Sequence, residues 1–476
     1  MPQLQDLSSI VPLKLLQAAG VPSASIAVLS GGTVETHVIT KGSEDVDTIY
    51  QACSISKAIT GIAVARLIDK GRLTYDTPIS DHLPAHILDL ITTDKTESLL
   101  SAMTVGTIVS HTSGLSQGGF SGYDGQVPSV EQILAGTAPA NTPQIHFNSF
   151  PGAQFAYSGG GWTVLQLFLE HLLSKRFAEI MQELVLGPLQ MTRSHYGPFT
   201  EVEQNYAKAH LTGDVQARAP HHELPELAAA GLWTTPTDLL KAIAAVQTSL
   251  ASEDGFLTRA AAQKLLAPIM DAGVGRGDIA RGFFVTDTTF GHSGSNEPGY
   301  RTYFMGSRPF DNGSDAPPSD IGIAIFTNSG LGWEAMQKLL PAVFYLRGWP
   351  YQKEICCYAP VEAYVAYALP ASLQSKDTNL AWKAWEGQWE SGWQIGSAKE
   401  DDVERPTLAF RGLQAMSLLP GAGPIRSLKP GKEVLFVADG LDIGVRLTWN
   451  EEGERVVKLM QTGVGSELKT LHRSTR

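Results

Sequence analysis

Cysteine is scarce in this sequence of 476 residues: there are three, Cys53, Cys356 and Cys357. Two are adjacent and the count is odd, so no disulfide framework is encoded, and no C-x-x-C pair offers a zinc or redox motif. That usage fits a reducing compartment. Positive charge is also short, with 36 Lys and Arg against 48 Asp and Glu and a net charge of −12. Without a basic stripe, nucleic acid and anionic membrane surfaces are excluded as main partners. Long hydrophobic runs are missing. The most apolar stretch, residues 321–326, has the length of a strand, so no membrane-spanning helix is expected. Residues 1–20 lack the basic and long apolar regions of a secretory signal, and a cytoplasmic protein is expected. There is no internal repeat and no low-complexity tract.

What is present describes a globular chain. Hydrophobic residues make up 43% and charged residues 18%, with a mean hydropathy of −0.05. At roughly 150 residues per domain, the length suggests about three domains, or one large and one small. Residues 25–40 predict a hairpin around Gly31-Gly32. Residues 54–70 predict a helix with Ile55, Ile59, Ile62, Ala63 and Leu67 on or near one face and Gly71 as its stop. Helices are also predicted over 162–173 and 237–250, and strands over 282–290, 300–305 and 321–328. Strands at both ends with helices between predict an α/β (α+β) fold. Its antiparallel sheet, flanked by helices, would occupy 1–350 with a helical insert at about 75–280. After residue 350 come four clustered tryptophans, Trp382, Trp385, Trp389 and Trp393, and short alternating segments over 407–410, 433–437, 444–449 and 455–461. These predict a C-terminal antiparallel β-domain, barrel-like, over 360–476, with the tryptophans in its core and at a domain interface.

Ser54-Ile55-Ser56-Lys57 opens the first helix. Ser and Lys at i and i+3 share a helix face, so the amine can reach the hydroxyl, and free N–H groups at the helix start favour developing negative charge. A serine beside an amine that can lose its proton is an activated nucleophile. The motif alone is weak, since Ser466-Glu467-Leu468-Lys469 also matches it. Two other matches are set aside. Gly114-Leu115-Ser116-Gln117-Gly118 fits the G-x-S-x-G elbow but is followed by a loop rather than a helix. His221-His222-Glu223 lies among prolines, without the helix that a metal-binding HExxH needs. Asn312-Gly313-Ser314 is a glycosylation sequon with no role in a cytoplasmic chain.

The order of motifs resembles the serine β-lactamase and penicillin-binding-protein superfamily, in its class C β-lactamase, D-peptidase, esterase and transacylase branch. Ser54-Ile55-Ser56-Lys57 matches the first motif of that family, and residues 71–78 look like the segment that follows it. Val109-Ser110-His111-Thr112-Ser113-Gly114-Leu115, residues 151–158, residues 231–239 and Ile325-Phe326-Thr327-Asn328 have family counterparts, and Gly291-His292-Ser293-Gly294 matches the third motif. The resemblance covers about residues 20–345. The tail after about 355 resembles the β-barrel appended to some members.

The resemblance implies a β-lactamase/transpeptidase-like fold with its site between sheet and insert. Ser54 would attack a carbonyl and hold the acyl group. Lys57 and Tyr157 would move the protons, with either as the base. His292 would face the site from a strand edge, with Ser293 beside it. Gly294 would let substrate approach the strand, and the Ser54 and Ser295 N–H groups would form the oxyanion hole. His111 would be structural, holding the turn over 110–115. One departure stands out. Tyr157-Ser158-Gly159 has glycine where the family commonly has asparagine, so the bond from that side chain to lysine or a substrate amide is missing, and Gly159-Gly160-Gly161 would loosen the loop or make room for a bulky acyl group.

The resemblance implies a serine hydrolase or acyltransferase working through a Ser54 acyl-enzyme, and the absence of an export signal points to a cytoplasmic esterase, thioesterase or transesterase acting on a small-molecule metabolite. No metal or cofactor is implied. A carrier-protein or CoA thioester could present the acyl group, and natural-product biosynthesis is a fitting setting. The alternatives are a β-lactamase or D-aminopeptidase/D,D-peptidase, and a non-acylating isomerase, cyclase or inactive scaffold on the same fold.

Overall fold

The computed structural model describes residues 16, 19–198, 203–273, 277–309, 320–347, 349, 367–368, 382–400, 403–411, 415–422, 434–438, 443–450, 452–461 and 467–474. Cys356, Cys357, Ser466 and the sequon at 312–314 lie outside them. The chain divides into two compact units, one within Leu16–Trp333 and one from Glu334 onward.

In the first unit, β1 (Ser23–Ser30) and β2 (Thr33–Thr40) form the expected hairpin. Its turn residues Gly31 and Gly32 have φ of 57° and 75°, which the missing Cβ permits. Six more strands complete the sheet: β3 (Met270–Asp271), β4 (Asp278–Ile279), β5 (Phe284–Val285), β6 (Thr289–Asn296), β7 (Tyr300–Ser307) and β8 (Gly322–Thr327). The order is β2-β1-β8-β7-β6-β5-β4-β3, antiparallel throughout. β1 pairs with β8 from Ala24–Thr327 to Leu29–Gly322, so the first and last segments of the sheet are neighbours, as expected.

The strand expected over 282–290 is two strands. The chain reverses after Val285, where Thr286 N–H donates to Thr289 O at 2.9 Å and their hydroxyls lie 2.8 Å apart. Threonine has high strand propensity, but here its hydroxyl bonds locally and stabilises a turn.

Helix α1 (Ile55–Asp69) is buried on nearly every side rather than on the one apolar face expected. It packs against β6 and β7, and Gly61 allows Arg281 O to within 2.6 Å of where a Cβ would stand. Its C-terminus closes as expected at Gly71, with φ of 67° and an N–H that donates to Ile68 O at 2.9 Å. Helix α2 (Gly159–Leu173) begins three residues before the apolar run that predicted it. Helix α3 (Pro236–Ala251) starts with Thr235 as N-cap and Pro236 in its first turn. It lies across β1, β2, β7 and β8, where Gly306 and Gly322 admit Ile243. A small sheet of Tyr50–Gln51, Leu232–Thr234 and His195–Tyr196 ties the chain entering α1 to the segment before α3.

Among the described residues the second unit has eight antiparallel strands paired in chain order, β9 (Gly387–Trp389), β10 (Trp393–Glu400), β11 (Val403–Phe410), β12 (Met416–Ala422), β13 (Val434–Ala438), β14 (Ile443–Trp449), β15 (Arg455–Gln461) and β16 (Glu467–Leu471), and a ninth short strand, Tyr367–Ala368, pairs with β12. The two ends meet, with Glu390 N–H donating to His472 O at 3.0 Å and Ser474 N–H to Gln388 O at 3.2 Å, which brings the sheet close to a closed barrel. Trp382, Trp385 and Trp389 are buried in its core with Leu447, Val457 and Leu459, and Trp393 packs against them.

Candidate active site

The approach to α1 is fixed on both sides. Ala52 N–H donates to Leu232 O at 2.8 Å and Ala52 O accepts from Thr302 Oγ1 at 2.9 Å. Ser56 Oγ donates to Cys53 O at 2.6 Å and accepts from Leu232 N–H at 3.0 Å. Cys53 is held at a φ of 56°, a left-handed conformation that is costly for a residue with a Cβ. Ser54 follows at the helix start with φ −65° and ψ −8°. The Cys53 thiol is buried and pushed up to about 12, so it is no rival nucleophile.

Lys57 lies one helical turn on. Its Nζ donates to Ser54 Oγ at 3.1 Å and to Ala229 O at 2.7 Å. Lys57 is 2% exposed, and burial pushes its ammonium down to about 7. Among the described residues no carboxylate is paired with it. Burial therefore favours the neutral amine, whose lone pair would lie within reach of the Ser54 hydroxyl.

Tyr157 comes from the other side of the site. Its ring lies 5.1 Å from Lys57 Nζ and stacks on His111, with centroids 4.2 Å apart and planes at 20°. His111 O accepts from Ala156 N–H at 2.8 Å, and Nδ1 accepts from Ser158 N–H at 2.9 Å. That acceptor role leaves the ring proton on Nε2. Burial, with the Lys57 charge second, holds His111 well below its ordinary range, so the ring is neutral. His111 thus clamps the Tyr157 segment, a wider role than the turn expected over 110–115. Ser158 caps α2, its Oγ accepting from Gly161 N–H and donating to Ser116 O, both at 2.9 Å.

The glycines after Tyr157 leave no loose loop. Gly118 O accepts from Gly159 N–H at 3.3 Å, and Gln117 O accepts from Gly160 N–H at 3.0 Å. A Cβ on Gly160 would stand 2.5 Å from Ser116 O. The loop over 116–120 is docked onto the start of α2, and the room expected from the glycines is filled by the chain itself. Residues 114–118 are accordingly a docking loop, not an elbow.

β6 forms the opposite wall. It pairs with β5 only at Phe290 and Gly291, and from His292 onward its partner among the described strands is β7. His292 is buried, 5.2 Å by ring centroid from Phe284 and 6.2 Å from Tyr157. Burial, then the Lys57 charge, pushes it down to about 3, and its Nδ1 donates to Ser293 O at 2.5 Å. It is a neutral wall of the site. Ser293 is buried and Ser295 exposed. Gly294 was expected to admit substrate, but a Cβ there would stand 2.5 Å from Cys53 Cβ and 2.7 Å from Ala52 O. Glycine at 294 lets the strand meet the turn that carries Ser54.

Some contributors carry no sequence signal. The turn Leu227–Ala230 offers three consecutive carbonyls: Ala228 O accepts from Thr60, Ala229 O from Lys57 and Ala230 O from Asn296. A main-chain oxygen can come from any residue, so no residue type announces it. Glu226, which begins this turn, has both carboxylate oxygens buried without a partner among the described residues. Burial pushes that carboxyl up to about 7. In sequence it is a lone acid between Leu224-Pro225 and Leu227-Ala228.

His221 and His222 diverge. His221 Nε2 lies 3.1 Å from Glu223 Oε1, and His222 Nδ1 lies 2.7 Å from Ser121 O. Among the described residues no cluster of three or more His, Cys, Asp or Glu is placed to hold a metal ion, and no helix is long and apolar enough to cross a membrane.

A family model described as Beta-lactamase matches residues 14–344. Protein flp of Staphylococcus aureus (strain MW2) is 26% identical over 239 residues, 47% of this chain and 43% of that protein. An uncharacterized protein of Mycobacterium tuberculosis (strain CDC 1551 / Oshkosh) is 28% identical over 218 residues, 41% of this chain and 53% of that one. The match thus spans about half the length of these curated relatives. Among solved structures, the octameric penicillin-binding protein homologue from Pyrococcus abyssi superposes with a TM-score of 0.57 at 19% identity, over 96% of this chain and 97% of that chain. The D-amino acid amidase from Ochrobactrum anthropi SV3 complexed with D-phenylalanine gives 0.55 at 16%, over 70% and 97%. A class C beta-lactamase mutant gives 0.53 at 15%, over 70% and 94%. The architecture of the chain is the β-lactamase/transpeptidase-like fold with an added C-terminal near-barrel.

Proposed function

The chain belongs to the beta-lactamase family, whose members are serine hydrolases, and on that premise we propose that it is an esterase, thioesterase or transacylase working through an acyl group on Ser54. The observation that carries this is the pair of Lys57 bonds: Nζ 3.1 Å from Ser54 Oγ and 2.7 Å from Ala229 O, on a buried amine pushed down to about 7. A lysine serving charge alone would sit exposed or beside a carboxylate; this one is desolvated and aimed at a hydroxyl.

In the proposed reaction, neutral Lys57 takes the Ser54 hydroxyl proton as Oγ bonds to the acyl carbon. The Ser54 and Ser295 N–H groups receive the oxyanion. Collapse breaks the bond to the leaving alcohol or thiol, which takes a proton relayed from Lys57 through Tyr157. Water releases the acid, or a second alcohol, amine or thiol takes the acyl group, and Ser54 regains its proton. His292 and His111 stay neutral and shape the wall.

A small-molecule ester, or a carrier-protein or CoA thioester, is favoured over a β-lactam or D-peptide by Gly159, which supplies no side-chain amide for a substrate amide. A cytoplasmic setting belongs to the same proposal and is supported by the cysteine usage. The test is release of p-nitrophenol from p-nitrophenyl acetate by wild type and Ser54→Ala, with and without an added alcohol. Turnover should vanish in Ser54→Ala, and added alcohol should divert product to the ester if transfer operates. Equal turnover by both proteins would refute the proposal.

A further inference from the structure

The second motif carries more than an absent asparagine. Ser158 is extended, with φ −135° and ψ 106°, so residues 157 and 159 leave the chain on the same side while Ser158 Oγ points away to Ser116 O and Gly161 N–H. A side chain at 159 would therefore project next to Tyr157, whose ring faces Lys57. In this chain that place is already filled: a Cβ on Gly159 would stand 2.7 Å from Phe120 Cε2 and 3.1 Å from Gly118 O. Phe120 is half-buried against the core, and the loop that carries it is tied down by the Gly159 and Gly160 N–H groups. Gln117, the amide in that loop, donates to its own Gly119 O. A separate set of rings packs around His111 and His292: Phe155 lies 6.0 Å from His111 and 6.2 Å from Phe284, which lies 5.2 Å from His292.

We infer that Phe120, seated on Gly159, is the specificity-determining residue for the acyl group, and that the acyl group it selects is an unsubstituted apolar chain rather than an acylamino acid. This rests on the Ser54 reading above. An alkyl chain gains about fourfold in kcat/KM for each methylene that it buries against such a wall. An acylamino group placed there would leave its amide N–H and C=O without partners, a loss of about tenfold or more. Gly159 and Phe120 act as one unit, because a side chain at 159 and the ring at 120 cannot share the space.

The test uses the full chain and p-nitrophenyl esters of acetic, butyric and hexanoic acid, with the N-acetylglycyl ester as the polar match. Wild type should rise about fourfold per methylene and should prefer hexanoyl to N-acetylglycyl by about tenfold or more. Phe120→Ala should lower the hexanoyl-to-acetyl ratio by about tenfold. Gly159→Asn should lower the hexanoyl-to-N-acetylglycyl ratio below the wild-type value. Because Gly159→Asn also crowds Gly118 O, its fold is checked by circular dichroism, and Phe120→Ala gives an independent reading. Ser54-dependent turnover with the same ratios in wild type and Phe120→Ala would overturn this inference alone. No Ser54-dependent turnover of any ester would overturn the Ser54 reading and this inference with it.

Discussion

The imidazole of His111 lies flat on the ring of Tyr157, with centroids 4.2 Å apart, while its Nδ1 accepts the N–H of Ser158, the next residue in the chain. One side chain thus sets both the plane of the tyrosine and the path of the backbone that carries it. His111→Leu should leave the Ser158 N–H buried and unpaired and cost about 1–3 kcal/mol of stability. It should lower kcat of ester hydrolysis more than it raises KM, since Tyr157 acts after binding. His111→Asn should recover part of both, because an amide oxygen can accept the same N–H and asparagine tolerates the φ of 56°. Melting curves with kcat and KM for the three proteins check this; a loss confined to KM would contradict it.

The pH profile follows from Lys57. The amine must be neutral to take the serine proton, so kcat/KM should rise with pH through about 7 and level off above. His292, pushed down to about 3, and His111, held well below its ordinary range, stay neutral across that span and should add no limb. Initial rates from pH 5 to 9 test the assignment. A limb that falls with rising pH through 7 would mean that a protonated group is required instead.

Lys57 should also lower stability. Its folded pKa of about 7 lies below its ordinary 10.5, so the unfolded chain holds more protons between those values and stability from this group rises as pH climbs from about 7 to 10.5. Below 7 the buried charge carries its full cost. Lys57→Met should therefore be more stable than wild type at pH 6, by about 1–3 kcal/mol after the loss of the Ala229 bond, with a smaller gain at pH 10. Urea unfolding at the two pH values measures it.

Glu226 has the opposite sign. Its folded pKa of about 7 lies above its ordinary 4.5, so the folded chain holds the extra proton between them and stability from this group is lost as pH rises through that window. Glu226→Gln should match wild type near pH 4 and exceed it by about 1–3 kcal/mol at pH 8. Equal stability at pH 8 would mean that the ionised carboxylate has a partner in the native protein.

Local geometry explains what could be read before the fold was known. Ser54 and Lys57 are one helical turn apart, so spacing alone brings amine to hydroxyl, and the Gly31-Gly32 turn with its flanking alternation specifies the first hairpin. The pairing of β1 with β8 followed from strand-like segments at both ends. The misses are contacts between distant segments. Nothing in the sequence places Phe120 on Gly159, Cys53 against Gly294, or the Ala229 carbonyl under Lys57. The turn at 286–288 was missed because threonine hydroxyls bonded locally where propensity pointed to a strand.

The most direct measurement is intact-protein mass spectrometry of wild type and Ser54→Ala after brief exposure to a small fluorophosphonate, followed by peptide mapping. A single adduct on wild type, mapped to Ser54 and absent from the variant, is the expected result. Labelling of both proteins to the same extent, or no adduct on folded wild type, would contradict a Ser54 nucleophile activated by Lys57.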